Sequence, residues 1–67
     1  MNKEFFKDLL SVEVHITYKD GNRESFTEGT IQKVEDTFIV VVNPDCAIAI
    51  NFEAVMTCRT KANGVKN

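Results

Sequence analysis

The sequence holds one histidine, two cysteines, one proline, three glycines and no tryptophan, and each scarcity excludes something. His15 is alone and no Cys-x-x-Cys pair is present, so the ligands for a structural metal site are missing. No Ser-His-Asp, Cys-His or paired-carboxylate arrangement is supported, so neither catalysis nor a cofactor is expected. Cys46 and Cys58 each fall in an apolar, strand-like stretch, and the first residues carry no secretory pattern. They therefore read as small buried hydrophobes rather than a bridge, and a cytoplasmic setting is expected. No apolar run approaches the roughly 20 residues of a membrane span. Charge of one sign is also scarce. The net value of −2 argues against a generally basic nucleic-acid binder and leaves room for a local basic face.

What is present is 67 residues, enough for one domain, expected over residues 1–61 with a flexible tail at 62–67. A chain this short buries only about 60% of the surface its unfolded form exposes. Small domains make up the difference with disulfides, metals or self-association. With the first two excluded, self-association remains.

The most β-prone stretch is the run Phe38-Ile39-Val40-Val41-Val42. Being unbroken rather than alternating, it predicts a strand covered on both faces. The rest of the chain can be laid around it. Residues 2–10 predict a short helix, with Asn2 as N-cap, Glu4 in the first turn, and Phe5, Phe6, Leu9 and Leu10 on one stripe. From Ser11 the period changes. Val12, Val14, Ile16 and Tyr18 alternate with Glu13, His15 and Thr17, a half-buried strand with His15 on its polar face. Lys19-Asp20-Gly21-Asn22 predicts a hairpin turn centred on Asp-Gly.

The next strand, about Glu24 to Val34, slips in apolar phase around Gly29, which marks a bulge or sharp bend. Glu35-Asp36 turns into the central strand, and Asn43-Pro44-Asp45 ends it. A fourth strand follows, with Cys46, Ile48, Ile50 and Phe52 on one parity and Ala47, Ala49 and Asn51 on the other. A short turn at Asn51–Ala54 leads to a fifth strand from Val55 to about Thr60.

One helix and five short strands predict a mainly β fold, a small and strongly bent barrel over about residues 11–61. SH3-like, OB and Sm-like architectures fit that description. The leading helix, the glycine at the bend and the short link between the last two strands favour the Sm-like one.

The succession of a helix, Val-x-Val-x-Ile, Asp-Gly, Gly-x-Ile-x-x-Val and Asp-Thr-Phe-Ile-Val resembles the Sm-like family, and most closely its bacterial Hfq branch. Gly29, Ile31, Val34, Asp36, Phe38, Ile39 and Val40 supply the first motif, with one extra residue in the turn. Ile50 to Met56 resembles the second in hydrophobic pattern. The resemblance implies a homo-oligomeric ring of about five to seven copies, in which the fourth strand of one subunit pairs with the fifth of the next. Ala47 and Ala49 are small enough for such a contact.

The resemblance also implies single-stranded RNA as partner and an RNA-chaperone type of role. On it, Phe38 matches the aromatic that stacks on a base, a contact worth roughly 1–3 kcal/mol per base, and Thr37 matches the adjacent polar contact. Asn51, Phe52 and Glu53 occupy the turn where Hfq proteins carry Tyr-Lys-His. The lysine and histidine are absent, and a glutamate stands where a cation would meet phosphate. Arg59 and Lys61 would then supply backbone contacts from the end of the last strand. Each of these residues has a plainer role: Phe38 in the core, Asn51 as a turn former, Arg59 and Lys61 as solvated charge. The same residues also fit a small β-barrel that mediates protein assembly without nucleic acid.

Overall fold

The computed structural model describes residues 2–61 of the chain. The expected tail at 62–67 lies outside them. Helix α1 spans Lys3–Lys7. Asn2 caps it, its Oδ1 accepting the Phe5 N–H at 3.1 Å, which satisfies one of the orphan donors of the first turn. The helix is shorter than the 2–10 read from the sequence. Residues 8–11 leave it as a turn that ends in Ser11 at φ 70°. There the Ser11 N–H donates to the Ile31 carbonyl at 2.7 Å, and Val12 accepts from Ile31 at 3.1 Å. Pairing with a distant strand thus outcompetes the last helical turn. Only part of the apolar stripe is covered. Phe6 is fully buried, whereas Phe5 and Leu10 are exposed.

The strands are β1 (Glu13–Asp20), β2 (Arg23–Val34), β3 (Phe38–Val42), β4 (Ala47–Asn51) and β5 (Val55–Thr60). A single 3-10 turn, Phe52–Ala54, stands between the last two. The β1–β2 loop is Gly21-Asn22, one residue beyond the expected Asp-Gly centre, since Asp20 and Arg23 still pair. Gly21 has φ +67° and Asn22 is not left-handed. Glycine at the first loop position suits the type II′ hairpin turn, which matches the twist of the flanking strands.

All pairings are antiparallel, in the order β4-β3-β2-β1-β5. The mainly β expectation holds, with five antiparallel strands and one short helix; the sheet does not close on itself in the single chain. The reason lies at Phe52–Ala54, where the chain turns away from β4 and delivers β5 to the far side of β1. β4 and β5 are left as two free edges.

Two local features mark β2. Gly29 is buried, and a Cβ there would lie 2.5 Å from the Val42 carbonyl oxygen. Only glycine allows so close an approach. The register shift expected near it falls at Gln32, between the pairs Ile31–Val41 and Lys33–Val40.

The core lies on one face of the sheet under α1. Phe6, Val14, Ile16, Ile31, Ile39 and Val41 are completely buried, with Ile50, Phe52 and Val55 nearly so. Phe6 and Phe52 stack with centroids 5.4 Å apart and planes at 8°. β3 differs from expectation. Ile39 and Val41 are buried, but Phe38, Val40 and Val42, on the opposite face, are only half-buried.

Candidate nucleic-acid interface

The turns that enter and leave the β3–β4 hairpin meet at one end of the sheet. The Phe52 N–H donates to the Thr37 carbonyl at 2.9 Å, and Phe38 stands directly opposite Asn51. Residues from both turns and from the start of α1 line an open cleft of about 500 Å³: Asn2, Lys3, Asp36, Thr37, Asn51, Phe52 and Glu53. Three residues singled out from the sequence, Thr37, Asn51 and Phe52, are therefore brought together.

They do not play equivalent parts. Thr37 and Asn51 are exposed and offer a hydroxyl and an amide, groups that donate and accept hydrogen bonds. Phe52 is 6% exposed and its ring is stacked in the core on Phe6. Its ring forms the floor beneath the cleft. Phe38 adjoins the cleft through its pairing with Asn51. It is half-buried on the outer face and does not pack with the inner cluster.

Arg59 and Lys61 are elsewhere. Arg59 lies on β5 opposite His15. The Lys61 backbone N–H donates to the Glu13 carbonyl at 3.1 Å, and its Nζ sits 3.6 Å from Glu28 Oε1. Glu28 also takes His15 Nδ1 at 2.8 Å. The His15 hydrogen bond first, and the Lys61 charge second, hold the Glu28 carboxyl below the usual range. His15 stacks on Phe26 at 5.3 Å, and Thr17 and Thr57 share a hydroxyl hydrogen bond of 2.6 Å. None of these residues lines the cleft.

Lys3, Asp36 and Asn2 are the cleft residues that sequence reasoning did not assign to a site. Lys3 Nζ donates to Asp36 Oδ1 at 2.8 Å across 33 residues of chain. That contact keeps the Asp36 carboxyl below its ordinary range and raises the Lys3 ammonium. Only a polar position on an amphipathic helix hinted at it. The cleft thus carries one cation, already paired, against two carboxylates, Asp36 and Glu53. Such a site is suited to neutral polar edges and poorly suited to phosphate, whose binding draws on cations.

Among the described residues, no group of three or more His, Cys, Asp and Glu side chains is placed to hold a metal ion. Among them, too, no helix is long and apolar enough to cross a membrane. No protein-family model, curated protein or solved structure matches the chain.

Proposed function

We propose that this chain is an Sm-like subunit that closes into a ring of about five to seven copies through β4–β5 pairing, and that the ring binds single-stranded RNA. One observation carries the reading: the strand order leaves β4 and β5 as the two free edges of a single bent sheet. Both edges present a row of unpaired backbone groups, which is a template for another strand. Their lengths match, five residues against six. The pattern of Gly29 at the bend and Ala47 and Ala49 exposed on β4 agrees with the resemblance of the sequence to the family.

For the ligand, Thr37 and Asn51 stand side by side at the mouth of the cleft with Phe38 next to them. They suit base edges and a stacked base more than the phosphate backbone. Binding of this kind is weak in salt dependence and strong in its need for the aromatic.

A second reading is favoured by the charge of the same cleft. With Asp36 and Glu53 there and Lys3 already paired, the ring serves as a protein-assembly module without nucleic acid. Filter binding with short U-rich and A-rich RNA separates the two. Retention that falls several-fold in Phe38→Ala supports RNA, and no retention even at low salt leaves the assembly module. Light scattering behind a sizing column tests the ring itself, and a stable monomer overturns it.

A further inference from the structure

Among the described residues, Lys3 is the only cation that lines the cleft, and it is already engaged there. Its Nζ lies 2.8 Å from Asp36 Oδ1, and Asp36 stands immediately before Thr37 in the chain. Consecutive Cα atoms are about 3.8 Å apart, so the ammonium is held beside the hydroxyl that the RNA reading assigns to a base edge. The fold fixes both partners. The Asn2 cap sets the start of α1, and the Glu35 N–H donates to the Phe38 carbonyl at 2.8 Å, which closes the turn that carries Asp36. Lys3 also feels Glu35 and Glu4, more weakly than Asp36.

This pair is loose. Its side chains are 46% and 90% exposed, and exposed ion pairs hold weakly because water and salt screen both partners. An arriving anion can therefore take Lys3 from Asp36. A nucleic-acid phosphate is such an anion, since it accepts charge-assisted hydrogen bonds as a carboxylate does. The exchange bears on selectivity. The phosphate gains an ion pair, but the protein gives up its own and leaves the Asp36 carboxylate unpaired nearby. The net electrostatic gain is small. A ligand must then bring a second source of binding: base edges for Thr37 and Asn51, and a base plane for Phe38. A polyanion without bases has none of these. Selectivity is a difference of affinities, and an opposing charge is one way to build it.

Resting on the RNA reading above, we infer that Lys3 is a phosphate-contacting residue and Asp36 its built-in competitor, the residue that makes the cleft select nucleobases over bare polyanion.

The full chain tests this by filter binding of a short U-rich RNA over a range of salt, with inorganic polyphosphate as competitor. In the parent, log K should fall little with log salt, and polyphosphate should displace RNA poorly. Asp36→Asn frees Lys3. It is expected to tighten RNA binding several-fold, to steepen the salt slope by about 0.7 for each phosphate contacted, and to make polyphosphate an effective competitor. Adding Lys3→Gln to Asp36→Asn is expected to return the slope and the competition to those of the parent. Both side chains are exposed, so the substitutions leave the fold in place. Unchanged slope and competition in Asp36→Asn overturn the inference and leave the RNA reading standing. A gain that survives in the double variant traces the effect to the lost carboxylate alone and overturns the part given to Lys3. RNA retained by none of the three proteins removes the RNA reading and this inference with it.

Discussion

The outer face of the sheet has two halves of different character. Over β5, β1 and the first part of β2 it is self-sufficient: His15 with Glu28 and Phe26, Thr17 with Thr57, Lys61 with Glu28. Five polar side chains there, His15, Glu28, Thr17, Thr57 and Lys61, have a partner within the chain, although Phe26 beside them is 66% exposed. Over β3 and β4 it consists of Phe38, Val40, Val42, Ala47, Ala49 and the exposed Asn51, with no such network. The inner faces of the two halves are alike, filled by Val14 and Ile16 on one and Ile39 and Val41 on the other. The contrast locates where a single copy is finished and where it is not. A surface meant for water carries polar partners, whereas a contiguous apolar surface signals an interaction.

The comparison can be broken at its foundation, the shared core. Ile16→Ala and Ile39→Ala each remove a fully buried side chain and are expected to cost about 2–5 kcal/mol. Denaturant unfolding should give two similar losses. A loss at one site far below the other would mean the halves do not form one cooperative unit. Next in size is Gly29→Ala, at the bend between the halves. Its Cβ would lie 2.5 Å from the Val42 carbonyl, and overpacking of this kind costs about 1–3 kcal/mol. A variant as stable as the parent would show that the close approach is not required.

Ala49→Glu tests the unfinished half. Stability of the isolated fold should move by no more than about 0.5 kcal/mol, as for other exposed sites, while the native mass falls to that of one copy. Thr17→Val on the finished half should leave the mass unchanged. The smallest effect concerns acid. Glu28 and Asp36 are both held below the usual carboxylate range, by His15 and Lys61 and by Lys3. A depressed carboxyl contributes stability above its unfolded pKa and loses it as pH falls through the folded value. Stability should therefore decline below about pH 4, and less steeply in Glu28→Gln. Equal slopes in a pH titration of unfolding would set the Glu28 contacts aside.

Much of the fold was legible because it follows local period and punctuation. The alternation from Val12 to Tyr18 and the break at Asn43-Pro44 stand where patterning put them, while the irregularity expected around Gly29 falls at Gln32. The helix was read too long because nothing in Leu9-Leu10-Ser11 announces that Ile31 will claim the Ser11 and Val12 backbones. The run Phe38–Val42 was read as doubly covered, yet periodicity does not say whether the second cover comes from the same chain. The cleft was half legible. Thr37 and Asn51 carried a motif-like pattern, but Lys3 reaches Asp36 only through the tertiary fold. The burial of Phe52 was not legible, because its stacking with Phe6 joins a turn to a helix 46 residues away.

The strand order also sets a schedule. β1 through β4 follow one another as local hairpins, whereas β5 must find β1 across some forty residues, as the Thr17–Thr57 contact does. Distant pairings are slow because the loop must close before any contact rewards it. On folding, β1 keeps one side unmatched until β5 reaches it. Refolding should therefore show β1–β4 protected from amide exchange before β5 is.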